Sequence, residues 1–371
     1  TVALVALARP TFDLACAQGN FDSARALLQE LGATVVGPAE LVMTVDDVAA
    51  VTLPEADLHI LFMASFSDAS PAVELLGSVK GPILGWSMRE PGEVGERLKL
   101  NSMCGVNLAA HALMDAGQSI RHIHGNANEP HVRAAIADAL NGTLPAATTP
   151  AQINAERAPQ SVADEAFEWL KGKKVGAVGE APVGFTPCLF DGPKLNSLFG
   201  LDVRQISIDN AFERISKVEP ERADKAYASA LADQPSLGDV NVEQAKKVYG
   251  VEVALDDWRE EDALDAIAIR CWPEFPTDLG ACICSSLGRL SDRGTVTTCE
   301  RDVLGAVTML VCEALGSDEN YLVDIVDLVE DEGLLRLWHC GSAATKLAAD
   351  PKSATQYIHC NRKLGVAGNF P

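Results

Sequence analysis

The 371-residue chain contains no run of 18 or more uncharged apolar residues, so a membrane-spanning helix, which needs about 20, is not expected. It also lacks the basic opening of a signal peptide. Thr1-Val-Ala-Leu-Val-Ala-Leu-Ala-Arg9-Pro10 is apolar, has no obvious cleavage site, and reads as a first buried strand. Positive charge is scarce. Thirty Lys and Arg stand against 52 Asp and Glu, a formal net charge of −22, which argues against a nucleic-acid or anionic-membrane surface. No CxxC pair occurs among the ten cysteines, which are scattered and mostly sit in apolar stretches. Reduced thiols in a cytoplasmic protein are the expectation, not a disulfide framework. Cys282 and Cys284, His339-Cys340 and His359-Cys360 raise structural zinc as a rival, but a C-x-C pair on a helix points its thiolates apart. The stretch Gly176-Ala-Val-Gly179-Glu-Ala-Pro-Val-Gly184 has neither the GxGxxG order nor a P-loop lysine, so it reads as a strand-to-loop turn near the substrate. No internal repeat stands out.

What is present is an alternation of short apolar runs and helical patterns. Strands are expected at Val2 to Leu7, Thr34 to Val36, Leu58 to Ala64, Pro82 to Trp86 and Ile120 to His124. Helical spacing separates them, as in Ala24, Leu27, Leu28 and Leu31 before the stop at Gly32. This is the signature of βαβ units and a parallel sheet covered by helices on both faces. The proline-bearing stretch Asn141 to Pro150 reads as a domain boundary. A second α/β unit begins at Lys173. Its helix Pro193 to Leu198 and strand Val203 to Ile208 precede two solvent-facing helices between Lys217 and Asp257. A third segment follows from about Glu261, with strands Ala266 to Cys271 and Thr295 to Cys299, a helix over Asp278 to Leu287, and a hairpin from Leu322 to Cys340. The expected organisation is therefore α/β, with two doubly wound Rossmann-like domains (1–150 and 165–260) and a C-terminal α/β segment (261–371).

The chemistry-bearing residues concentrate in that last segment. Glu274 follows one strand, and Glu300 and Asp302 occupy the strand-to-helix junction of the next, the end of the sheet where α/β proteins place active sites. Acidic residues in a first helical turn are also ordinary helix capping. His339 and His359 each end a strand. Carboxylates with one imidazole suit a divalent metal of the manganese or magnesium kind, although a lone histidine in an apolar strand is commonly a core residue. Trp272 and Trp338 flank these groups and either present a flat ring face to a ligand or belong to the core. Arg9, after the first strand, either binds substrate or pairs with Asp13. His122 and His124 share one face of a strand; a solvent-facing pair is the expectation there, over a metal site.

Four segments carry a resemblance. Arg9-Pro-Thr-Phe-Asp13, Arg89-Glu-Pro-Gly92 with Asn107-Leu-Ala-Ala-His111, Cys299-Glu-Arg-Asp302 with Gly305 to Met309, and Leu335 to Ala344 ending in Cys340-Gly-Ser-Ala-Ala344 resemble, in order, segments of the L-fucose isomerase and L-arabinose isomerase group. The resemblance implies a Mn²⁺-dependent aldose–ketose isomerase (Mg²⁺ or Co²⁺ as substitutes) working through a cis-enediol, with two stacked doubly wound α/β domains and a C-terminal α/β segment carrying the metal site. It implies a homo-oligomer, trimer or hexamer, with shared active sites. Glu274 and one of Glu300 and Asp302 would hold the metal and shuttle the proton, with the L-fucose pattern favouring Asp302 and the L-arabinose pattern Glu300. Arg9 would bind distal hydroxyls, and His339 would be a ligand or a substrate contact. The chain stops at Gly368-Asn-Phe-Pro371, before the segment that carries the group's histidine ligand, so a C-terminal β-rich domain is expected to be either missing or absent by nature. Outside the isomerase reading stand a non-catalytic sugar-binding protein and an epimerase or lyase with the same enediol chemistry.

Overall fold

The computed structural model describes residues 1–93, 96–147, 159–329, 332–339, 341–354, 357–361 and 366–370, the last two segments as backbone. The chain divides into two compact units. One comprises Thr1–Ile153, Val183–Pro187 and Asp324–Trp338, and the other Asn154–Pro182, Cys188–Val323 and His339–Pro371.

The first unit is built on β1 (Val2–Leu7), β2 (Val35–Val36), β3 (Leu58–Met63), β4 (Ile83–Ser87) and β5 (Ile120–His124), in the order β2-β1-β3-β4-β5. Every pairing is parallel. All residues of β1, β3 and β4 are buried, which explains their unbroken apolar sequence: helices cover both faces of a parallel sheet. Alternate side chains serve opposite faces. Leu4, Ile60, Phe62 and Trp86 pack with Phe21 and Leu28 of α1 (Leu14–Glu30) and Ile136 of α5 (Pro130–Leu140). Val5, Leu7, Leu61 and Met63 pack with Leu76 of α3 (Ser70–Leu76) and Val106 and Leu113 of α4 (Ser102–Asp115). A short helix α2 (Val45–Ala49) precedes β3, closed at its start by a Thr44–Asp47 capping box.

The second unit holds α6 (Gln160–Leu170) and the strands β6 (Lys174–Val178), β7 (Asp202–Ile206), β8 (Ala266–Ile269) and β9 (Val296–Thr298), all parallel in the order β7-β6-β8-β9. Both β8 and β9 come after residue 261, yet they complete the sheet that β6 and β7 begin. Helices α7 (Gly192–Phe199), α8 (Ile208–Ser216), α9 (Pro220–Asp233), α10 (Val242–Asp262), α11 (Cys284–Asp292) and α12 (Val303–Ala314) complete the unit. Gly176 in β6 is required by space, because a Cβ there would stand 2.6–2.8 Å from Leu264 and the Trp258 ring.

Several expectations are corrected here. The segment from Lys217 does form two helices, but α10 is not solvent-facing: it buries Tyr249, Val251, Glu252, Leu255 and Trp258. Its charge is misleading because Glu252 is neutralised inside the fold by Arg289 (3.1 Å) and Arg293 (2.6 Å). The single helix expected over Asp278 to Leu287 is split. A π-type turn over Phe275–Leu279 ends at Gly280 with φ 78°, and α11 starts afresh at Cys284. The strand expected to run to Ile208 ends at Ile206, where Ser207 caps α8. The expected hairpin does form, as β10 (Asp324–Val329) paired antiparallel with β11 (Leu334–Trp338) in the first unit. A second antiparallel pair joins β12 (Tyr357–Asn361) to β13 (Val366–Phe370). Among the described residues no helix is long and apolar enough to cross a membrane.

Candidate active site at the strand ends of the second unit

The turn from β9 into α12 is the most constrained piece of backbone in the second unit. Glu300 and Arg301 both adopt left-handed conformations, with φ 59° and 58°. For residues with a Cβ such geometry costs about 1–3 kcal/mol each and persists only where surrounding contacts impose it. Those contacts are visible. The Arg301 amide donates to Ile269 O (3.0 Å) at the end of β8, and Thr298 Oγ1 donates to Asp302 O (2.8 Å). Asp302 then caps α12, its Oδ1 accepting from Gly305 N at 2.7 Å. Burial pushes the Asp302 carboxyl above the usual aspartate range, against the opposing pull of the Gly305 and Leu304 amides. A carboxyl raised in this way is suited to exchanging a proton near neutral pH.

Around this turn lie groups that sequence reasoning passed over. Burial, together with the nearby charges of Asp302 and Glu300, raises the pKa of the Cys188 thiol far above its ordinary value. Cys188 thus feels the charge of both acids and is an inert neighbour of the turn. The Cys299 Sγ stands 2.9 Å from His339 Nε2, and His339 Nδ1 is 3.3 Å from Ser342 Oγ. His339 is therefore brought to the residue next to Glu300. Glu274 is held by Arg270 through two contacts of 2.6 and 3.0 Å. Trp272 follows β8 and precedes a cis-proline, Pro273. Arg9 and Trp338 belong to the first unit. Arg9 donates its amide to Ser65 Oγ and places its guanidinium 5.7 Å from the centre of the Phe66 ring, while Asp13, its expected ion-pair partner, caps α1. Trp338 closes β11 opposite Asp324. The His359 side chain lies outside the described residues.

Arg301 was hidden between the two acids of the motif. It is 5% exposed, and its side chain runs across the strand ends to Gln205 Oε1 of β7 (2.7 Å). Nothing among the described residues accepts a hydrogen bond from its Nε. No local pattern announces such a residue, because its partners lie about a hundred positions away along the chain.

The resemblance calls for manganese held by these acids and His339. Among the described residues no three His, Cys, Asp or Glu side chains stand together so as to hold a metal ion. Of the expected donors, Glu274 is engaged by Arg270, Asp302 by the start of α12 and His339 by Cys299. The described arrangement does not fit the ion.

The first unit contains a separate buried polar network. Ser87 Oγ lies 2.8 Å from both His122 Nε2 and His124 Nδ1, and His124 Nε2 lies 2.6 Å from Asp327 Oδ1. The expected solvent-facing histidine pair is corrected for His124, which is 6% exposed: Asp327 of β10 gives it a buried partner. The Ser–His–Asp order invites a nucleophile reading, but Ser87 is fully buried, so no substrate reaches its oxygen. The network pins β10 instead. Arg89 links Glu129 (2.9 Å) to Asp327 (3.3 Å) and donates to Leu328 O. A cavity of about 720 Å³ among Arg222, Glu252, Asp256, Arg289 and Arg293 lies on helices of the second unit. Its charges largely satisfy one another, so it offers no reactive group.

Comparison with known proteins fixes the class. No family model matches the chain. All of the chain aligns with 79% of a sulfoquinovose isomerase from Alkalicoccus urumqiensis, at 31% identity over 383 residues. It aligns likewise with 79% of a sulfoquinovose isomerase from Priestia aryabhattai (29% over 382 residues) and 78% of one from Clostridium sp. strain MSTE9 (30% over 374 residues). These relatives are sugar isomerases, and the chain is an enzyme of that class, which sets aside the non-catalytic alternative. It belongs to the sulfoquinovose isomerase family. This corrects the L-fucose and L-arabinose isomerase assignment, since the full-length relatives are sulfoquinovose isomerases. The motifs behind that assignment are short and sit at strand ends and helix caps, where acids, Arg-Pro and Gly-Ser steps recur for reasons of backbone chemistry.

Proposed function

We propose that the chain interconverts sulfoquinovose, a glucose with a sulfonate in place of its C6 hydroxyl, and the corresponding ketose. The observation that carries this reading is alignment of the whole chain with enzymes named for that reaction. The strand-end turn supports it chemically. In the reaction a base removes the proton from C2 of the open-chain aldose, the C–H electron pair forms the C1=C2 bond and the carbonyl pair moves to O1, which takes up a proton to give a cis-enediol; loss of the proton on O2 and return of a proton to C1 then yield the ketose. No atom is gained or lost. Asp302, half-buried and with its pKa raised, is the residue we assign to carry the proton. Glu300, in the strained position two residues before it, is its partner in the turn. The Asp302 hydrogen bond to Gly305 N holds the carboxylate in one orientation, which proximity catalysis requires.

The test is exchange with solvent. The purified enzyme is incubated with sulfoquinovose in D₂O and the sugar followed by NMR. Deuterium at C2 of recovered aldose and at C1 of ketose, lost in Asp302→Asn, is the expected result. Conversion without deuterium would point to hydride transfer and remove Asp302 from this role. Chelation followed by re-addition of Mn²⁺, Mg²⁺ or Co²⁺ in the same assay decides whether the expected metal is needed.

A further inference from the structure

We infer that Arg301 is the residue that binds the anionic end of the substrate, so that it sets the preference for a sulfonated over an uncharged sugar; this rests on the function proposed above. The argument starts from charge. A chain of net charge −22 repels an anion at long range, so recognising a sulfonate needs a local cation shielded from water. Arg301 is such a cation. Only 5% of it is exposed, yet its Nε has no acceptor among the described residues. Its nearest carboxylate among the described residues, Glu180, is 3.7 Å away and 83% exposed, a loose and solvated partner. Burial without a close counter-ion lowers the pKa of the guanidinium, with Glu180 opposing that shift only in part.

Leaving a buried donor unpaired is costly, and the backbone strain at Glu300 and Arg301 adds to that cost. Both costs have a reason if a ligand completes the set. The position fits, because the side chain spans the carboxyl ends of the sheet from β9 to β7, where α/β enzymes bind ligands. The groups over its head, Gln205 and Glu180, are both exposed and can swing aside. The guanidinium carbon lies over the Phe190 ring, 4.8 Å from its centre, a cation–π contact that restrains the side chain. A planar fork held in this way presents parallel N–H groups to a sulfonate, as it would to a carboxylate or phosphate.

The experiment compares wild type, Arg301→Gln and Arg301→Lys on sulfoquinovose and on 6-deoxyglucose, the same sugar without the sulfonate. Calorimetry of sulfoquinovose binding runs alongside. Arg301→Gln should lose about 30-fold or more in kcat/KM on sulfoquinovose, chiefly through KM, with a several-fold smaller loss on 6-deoxyglucose. Arg301→Lys, which keeps the charge and loses the fork, should fall between. Equal losses on both sugars, with a lowered Tm, would make Arg301 a structural strut and overturn the inference while leaving the function intact. If Arg301→Gln does not fold, the same ratio in Arg301→Lys decides. If wild type fails to isomerise sulfoquinovose, the proposed function falls and calorimetry decides alone. Binding by wild type that weakens in the variants sustains the anion site, and no binding by wild type overturns it.

Discussion

Asp327 gives the most direct test of how the first unit holds β10. Its Oδ1 lies 2.6 Å from His124 Nε2, 3.3 Å from Arg89 Nη1 and 2.9 Å from its neighbour's amide, while Oδ2 accepts from Glu90 N at 3.2 Å. Replacing it with alanine strips His124 and the Glu90 amide of an acceptor in a buried setting, whereas Arg89 keeps Glu129. Breaking a buried pair from one side costs about 3–5 kcal/mol. For a unit of this size that corresponds to a Tm lower by roughly 6–20 °C. Asp327→Asn keeps the shape and one acceptor, so its cost should be about 1–3 kcal/mol. Scanning calorimetry and urea unfolding provide the assay. The pH dependence has a definite sign. Burial opposes ionisation, but the His124 hydrogen bond and charge, the Leu328 amide and Arg89 outweigh it and hold Asp327 below its ordinary 3.8. The stability it contributes is thus fully present above pH 3.8 and is lost as pH falls through the lower folded value. The gap between wild type and Asp327→Asn should be widest at neutral pH and close in acid. An alanine variant within about 1 kcal/mol of wild type, or a gap that widens in acid, would refute the reasoning.

Three further outcomes follow from the geometry. Asp302→Asn should lower kcat by about 10²–10⁴. In wild type the acidic limb of the rate profile should lie above the ordinary aspartate value of 3.8, since burial raises that carboxyl and the base acts when ionised; a limb at or below 3.8 would contradict this. Glu252→Ala should destabilise by about 3 kcal/mol, the low end of the range for a buried pair. Arg293 is 40% exposed and Arg289 retains Asp233, so a change under 1 kcal/mol by urea titration would show that the pair is idle. Cys188 should resist alkylation by iodoacetamide in the native state, because burial and the neighbouring acids suppress its thiolate; rapid labelling seen by mass spectrometry would mean that the site is open.

What the sequence reveals and what it conceals divide along the range of the interactions. The strands β1, β3 and β4 are legible because burial on both faces demands unbroken apolar runs. Likewise α12 shows its buried face through Val303, Ala306, Val307 and Leu310. The hairpin β10–β11 is legible from two β-rich runs around a turn. The burial of α10 is not, because Glu252 and its arginines cancel only after α11 folds against it. His124 looks like a surface histidine until Asp327 arrives from 203 residues away. The acids at the end of β9 could be picked out by their position before a helix. The role of the cation between them could not, since a left-handed Glu-Arg pair has no glycine to announce it. The L-fucose and L-arabinose isomerase resemblance misleads for a related reason: four short matches carry less information than an alignment over the entire chain.

The most direct measurement is to supply the purified enzyme separately with sulfoquinovose and with its ketose, and to follow both sugars by ¹³C NMR to equilibrium. The expected result is one and the same aldose-to-ketose ratio reached from either side, at a rate proportional to enzyme and abolished by boiling. Both sugars persisting unchanged, under every metal condition tried, would contradict the proposed function.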